Sequence, residues 1–499
     1  MRKIFCLALI FILADFSLLL SETRGKYDEK KIYRFLEVGD FSSFENETAR
    51  LQEDAPVRRF YEGVAAVYRG NYRSAQEILS AIPLEDGNKR KNFYVAYSKY
   101  MASFAAGFKE KTSEHFILRY FPPDEVMADY ALSSLEKIRR GASSLFGWSP
   151  DGKVLVEIYP DKKSFAIAST LGEEIFEKSG TVGICKFNRI MILSPRNLAL
   201  GYRWVETLAH EYTHFVINRI TGYNCPLWVH EGISRWSDTV LISFSSETKT
   251  AASLYISDFS SNLLSQALLR RKLIPFEKMQ NSLVYLPTPD DISLAFAQVA
   301  DFVDFLVSEY GAGKLHEWLN NMRFSDEKKS FGKVFGISLE SVKNRWLRRL
   351  SSKYGKPQEE PPTSGVPDLP LYGIKSDEDL ITNEMTRYTR LGDELRRRGN
   401  FDAAYEKYRQ AWEMGKTSRS PVVAVKMARS LIAMGRYSEA KEIMESVVGG
   451  NRNYITPYVV LYEVAQSAGN PTEVRRYLKE IFEINPFYPG VYEALFIER

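Results

Sequence analysis

Cysteine and histidine are scarce in this chain. Three cysteines in 499 residues exclude the disulfide-dense scaffolds that hold small secreted domains together. With only five histidines, any pattern that uses two of them at a fixed spacing stands well above background. Long apolar runs are missing after residue 21, which excludes a polytopic membrane protein. A surplus of one charge is also missing: 67 Lys and Arg against 63 Asp and Glu leave a formal +4. No basic run interleaves with aromatics, so nucleic acid is not an expected partner. What is present, 44% hydrophobic and 26% charged residues, excludes a disordered chain. The length predicts about two to four domains, each with a core of its own.

The first twenty-one residues read as an export signal. Arg2 and Lys3 form a basic start, and Ile4 to Leu20 is apolar apart from Asp15. An uncleaved membrane anchor is the alternative, and Asp15 weighs against it because a carboxylate at that depth is costly. Either way the remainder is expected outside the membrane, periplasmic or extracellular. Cys185 and Cys225 would then be an even pair in an oxidising compartment, either bridged or simply two buried thiols.

Residues 26–107 carry helical periodicity with little strand character. Within them, Gly70-Asn71-Tyr72 followed by Ala75 matches the helix, tight turn, helix pattern of a tetratricopeptide unit. From about residue 112 to 350 the pattern changes to β-rich runs among longer helices: His115–Tyr120, Val154–Tyr159, Thr181–Phe187 and Arg189–Leu193, then a helix from Tyr202 to about Ile220. A sheet followed by a helical half predicts an α+β domain. Residues 353–383 form a linker rich in proline, with Pro357, Pro361, Pro362, Pro367 and Pro370. In 384–499, Gly399, Gly435 and Gly469 recur at the interval of tetratricopeptide units, followed five positions later by Ala404, Ala440 and Val474. Stacked units of this kind offer a concave surface to a protein partner.

The residues that carry chemistry are His210-Glu211-Tyr212-Thr213-His214. Side chains four apart share one face of a helix, so both imidazoles can meet one tetrahedral metal ion. Glu211, about 100° around the helix from His210, stands beside such an ion and suits a general base. A third ligand is available in Trp228-Val229-His230-Glu231-Gly232, where a turn containing Gly222 and Pro226 can return the Glu231 carboxylate to the metal. Three protein ligands and one open position is the catalytic zinc pattern. Chance would produce the five-residue pattern in roughly 0.003 chains of this composition. Val205, Leu208, Ala209, Tyr212 and Val216 follow core spacing, leaving the histidines on another face. His230 is expected as an adjacent surface histidine, with the orienting of a neighbouring group as the alternative; His115 is expected as a packed or exposed side chain, and Tyr255, Tyr285, Tyr310 and His316 as structural residues that are also the candidates for a second electrophile.

Together these two motifs resemble the peptidase MA-like group of gluzincin metallopeptidases, over about residues 112–350. The segment Leu294–Leu315 is similar to a helix that follows the site in that group, with Phe296 where relatives commonly have tyrosine. The resemblance implies a thermolysin-like α+β zincin domain flanked by all-α repeats, a Zn2+ ion on His210, His214 and Glu231, and hydrolysis of a peptide or protein substrate with Glu211 as base. The rival expectation is an exported repeat scaffold, or an envelope assembly factor, whose peptidase-like domain binds polypeptide without cutting it.

Overall fold

The computed structural model describes residues 28–51, 55–84, 87–243, 254–280, 283, 286–355, 372, 375–381, 383–414 and 420–497. The expected export signal, most of the expected linker and Tyr285 lie outside the described residues.

The described residues begin with five helices, α1 (Glu29–Glu37), α2 (Phe41–Ala49), α3 (Ala55–Tyr68), α4 (Tyr72–Ser80) and α5 (Lys89–Ala105). Gly70 takes φ +70° in the α3–α4 turn, and Ala75 is fully buried where α4 crosses α3, as a helix, turn, helix unit requires. Next come β1 (Lys109–Thr112), β2 (Phe116–Tyr120), α6 (Glu125–Phe146), β3 (Val154–Tyr159), α7 (Lys162–Ser169), α8 (Glu173–Ser179), β4 (Gly183–Lys186) and β5 (Arg189–Leu193). The five strands form one mixed sheet in the order β1-β2-β3-β5-β4. The pairs β2–β3 and β3–β5 are parallel; β1–β2 and β4–β5 are antiparallel. β4 and β5 are joined by Phe187 and Asn188, both at positive φ (52° and 58°), the geometry of a two-residue hairpin turn matched to strand twist. β4 is an edge strand. β3 and β5 are buried along their whole length, as interior strands covered on both faces must be.

Among the described residues seven α-helices complete this part: α9 (Trp204–Thr221), α10 (Leu227–Ser243), α11 (Asp258–Leu269), α12 (Pro289–Tyr310), α13 (Ala312–Met322), α14 (Glu327–Phe335) and α15 (Leu339–Tyr354). α12 starts at a capping box, Thr288 with Asp291, and carries Pro289 in its first turn, where a missing N–H costs nothing. α15 runs on to Tyr354, past the expected linker boundary at 353, because Leu350 and Tyr354 still bury an apolar stripe.

The C-terminal array comprises α16 (Asn383–Arg397), α17 (Phe401–Met414), α18 (Pro421–Ala433), α19 (Tyr437–Gly450), α20 (Ile455–Ser467), α21 (Pro471–Ile484) and α22 (Val491–Phe496). Gly399, Gly435 and Gly469 turn the chain at positive φ; Ala404 and Ala440 are fully buried, while Val474 is only half-buried. The fold is thus mostly helical, with one small mixed sheet and tetratricopeptide-like repeats. Separate cores are not what the packing gives. One continuous apolar cluster runs from α1 through the sheet and α9–α15 into α18–α22, and a smaller one lies around α16 and α17. The sequence pattern predicts each apolar face but not which faces meet.

Candidate metal centre

α9 buries Val205, Leu208, Ala209, Tyr212 and Val216, each at most 3% exposed, which turns His210 and His214 toward a cleft. Gly222 ends the helix in the left-handed conformation at φ +60°, and Pro226 precedes α10. α10 then packs along both α9 and α12. A Cβ on Gly232 would lie 2.8 Å from the Val299 carbonyl oxygen of α12. Only glycine permits that approach, which sets the height of Glu231 beside the histidines.

His210 Nε2 lies 3.1 Å from His214 Nε2, and Glu231 Oε2 lies 3.4 Å from the first and 3.5 Å from the second. For a tetrahedral zinc ion with bonds of about 2.0–2.1 Å, neighbouring ligand atoms stand about 3.3–3.4 Å apart. The three atoms therefore have the spacing that such an ion needs, and the same three residues form the metal-compatible cluster found among the described residues. The donor set, two imidazoles and a carboxylate, is of the borderline character that suits zinc.

Both rings are oriented by partners that sequence reasoning missed or undervalued. Asp238 Oδ1 is 2.9 Å from His210 Nδ1 and accepts a hydrogen bond from it, leaving the Nε2 lone pair for the cluster. Arg235 steadies Asp238 from 3.0 Å. His230 is not a surface residue: it is 8% exposed and stacks on His214 with ring centroids 4.6 Å apart. Its Nε2 lies 2.9 Å from Asn218 Oδ1, which assigns the proton to that nitrogen and turns the Nδ1 lone pair toward His214 Nδ1. Ser234 Oγ also reaches His214 Nδ1, at 3.1 Å. His214 Nε2 is thereby presented to the cluster, as His210 Nε2 is. The sequence signal that could have found His230 is its adjacency to Glu231, on the helix that must face α9. Asp238 and Asn218 carry no such signal.

The electrostatics favour positive charge at this point. Burial pushes Glu231 upward, but the imidazoles of His214 and His210 outweigh it and hold the carboxyl well below its ordinary range. Burial pushes His210 down, while Asp238 and then Glu231 raise it well above the ordinary histidine value. Glu211, 5% exposed, is raised chiefly by burial, with the two histidines opposing. Its carboxylate lies against the edge strand: a Cβ on Gly183 would meet Glu211 Oε1 at 2.7 Å and Thr207 Cγ2 at 2.6 Å. Glycine at this place lets β4 run close beside the Glu211 carboxylate.

The cleft has a volume of about 580 Å³ and contains His210, Glu211, His214 and Glu231 together with Tyr255 and Phe296. Of the candidate electrophiles, Tyr255 therefore lies at the site. Tyr310 and His316 do not line it: Tyr310 accepts from Arg345 Nη1 at 2.8 Å, and His316 meets Asn320 at 2.8 Å. His115 pairs with Glu136 at 2.8 Å, a packed surface role. Cys185 and Cys225 are both free thiols and both line the cleft.

Residues 147–352 match the model of the Peptidase MA superfamily. The chain carries a peptidase MA-like domain followed by tetratricopeptide repeats. The repeat model matches residues 395–458, a region of the protein-interaction type. No curated protein matches the chain. Among solved structures it is similar to the crystal structure of the yeast Tom70, at 15% identity over 92% of this chain and 84% of that one. The TM-score is 0.21, too low to carry an argument. The peptidase-like domain matched by the family model includes every member of the His210, Glu211, His214, Glu231 cluster.

Proposed function

We propose that the chain is an exported zinc metallopeptidase that hydrolyses peptide bonds, with its repeats recruiting a protein substrate or partner. The observation that carries this reading is the triangle of His210 Nε2, His214 Nε2 and Glu231 Oε2, with edges of 3.1, 3.4 and 3.5 Å. These three residues would hold the ion. A bound zinc ion supplies Lewis acidity, polarising a carbonyl and making a water molecule easier to deprotonate.

The chain's own residues do the rest. Glu211 accepts the proton of the attacking water and returns it to the leaving amine; its raised pKa, caused by burial, suits a group that must both take and give a proton. The outer edge of β4 beside it, which pairs with no other strand among the described residues, supports an extended substrate paired through its backbone. Asp238 and the pair His230 and Asn218 hold the two imidazoles in one tautomer and direction. Export rests on the basic and apolar pattern of residues 1–21.

Purified full-length protein should contain about one zinc per chain. Glu211→Gln should keep the metal and lose hydrolysis of a peptide library. Folded wild-type protein that binds no zinc would overturn the proposal.

A further inference from the structure

The C-terminal repeats do not hang off the peptidase-like domain as a separate arm. The loop between α19 and α20 packs on the first turns of α9, immediately before His210. Arg203 donates from Nε and Nη2 to the Arg452 carbonyl at 3.0 and 2.7 Å, and the Arg452 guanidinium pairs with Glu206. The Arg452 amide donates to Tyr255 Oη at 3.2 Å. Two residues on, Tyr454 Oη donates to Asp377 at 2.6 Å. Further along the array, the Phe482 carbonyl accepts from Trp204 Nε1 at 2.9 Å, and the Ile484 carbonyl accepts from the Tyr202 amide at 2.9 Å. The loop is thus pinned at both of its ends by bonds to other parts of the fold. Between and beside those pins, Asn453 and Tyr454 line the same cleft as Glu211 and Glu231.

We infer that the α19–α20 loop, through Asn453, is a substrate-selecting wall of the cleft, so that the repeat array acts on the substrate at the site itself. The inference rests on the peptidase reading above. The cleft follows α9 from Arg203 and Glu206, past His210 and Glu211, to Asn218 and Tyr223. A substrate residue held on the N-terminal side of Glu211 therefore meets the loop. The charges at that end are answered within the protein, Arg452 by Glu206 and Arg203 by Glu480 at 2.8 Å. What the wall presents is the half-buried, uncharged Asn453; the Tyr454 side chain is buried at 1% exposure and backs the loop. A side chain bound there is uncharged, because a charged one would be desolvated without a partner.

The test uses the full-length chain and a peptide library with every residue type at each position around the cut. Wild type should reject Lys, Arg, Asp and Glu at one subsite. Asn453→Asp should raise the acceptance of Lys and Arg at that subsite, and only there, by about tenfold or more in kcat/KM. Asn453→Ala should broaden the same subsite, and serves if the Asp variant does not fold. Zinc content should be unchanged in both. Covalent labelling gives a second measurement: a photoreactive residue placed at that subsite in a cut peptide should attach to the 451–454 loop of the Glu211→Gln protein. If wild type cuts and neither variant shifts the profile, or the label attaches elsewhere, the wall is overturned and the peptidase reading stands. If wild type cuts nothing, the peptidase reading falls and the wall with it.

Discussion

Glu157 on β3 and Glu211 on α9 are both buried carboxylates set among rings and charges, and the protein treats them in opposite ways. Glu157 is closed off. Tyr72 Oη lies 2.8 Å from both of its oxygens and shares its one proton between them, Tyr159 Oη adds a bond at 2.7 Å, and Arg189 Nε stands 3.2 Å away, with neither Glu157 nor Arg189 exposed. Arg189 spends its other nitrogens on the Val67 carbonyl and Tyr97 Oη, each at 2.8 Å. The result ties α3, α4 and α5 to the sheet, and among the described residues only the partly exposed Arg119, 3.5 Å from Glu157, links it toward the surface. The α9 cluster has a different balance. Two further carboxylates, Glu231 and Asp238, converge on two imidazoles at the floor of an open cleft. A buried ionic group answered by an opposite charge and by hydrogen bonds within the protein acts as a joint, whereas a group of donors aimed at one point and open on one side invites a cation and a substrate.

Breaking the open cluster should give the largest effect. His210→Ala or His214→Ala removes one corner of the triangle, and bound zinc should fall from about one per chain to below a tenth, read by elemental analysis. Glu211→Gln leaves all three corners in place. Its zinc content should match wild type while kcat falls by about 10²–10⁴-fold, the range of general acid–base catalysis. The closed cluster should respond in stability alone. Glu157→Gln leaves Arg189 buried without its counter-charge and should cost about 3–5 kcal/mol in denaturant titration, with zinc content unmoved. Loss of zinc in that variant would mean that the two clusters are not independent.

Smaller changes sharpen the comparison. His230→Ala removes the acceptor that orients His214 and should weaken zinc by about 10–100-fold in competition with a chelating dye, with far-UV circular dichroism unchanged. Gly435→Ala puts a side chain at φ +76°, where no other atom lies within 4 Å. Backbone strain alone should then cost about 1–2 kcal/mol, without any effect on zinc.

How much of this was legible in the chain follows from the range of each interaction. The pairing of His210 with His214 is a property of one helical turn, so their spacing sufficed. The return of Glu231 was legible because its turn is short and marked by Gly222 and Pro226. The array was legible from Gly399, Gly435 and Gly469, which recur because each unit needs the same turn. Asp238 was not: it is one of 63 acidic residues and reaches His210 only through the packing of α10 on α9. His230 was misjudged for the same reason, since its burial depends on which face of α10 meets α9. The two cysteines could not be assigned from sequence, and the fold leaves both free in the cleft.

Local periodicity and composition determined the helices, the strands, the repeat units and the His210–His214 spacing, because each is encoded within a few turns of the chain. Strand order, the merging of the cores and the seating of the repeats against the cleft were decided only in three dimensions. Arg203 and the Arg452 carbonyl that it binds are 249 positions apart, and contacts of that kind depend on the whole fold having closed around them.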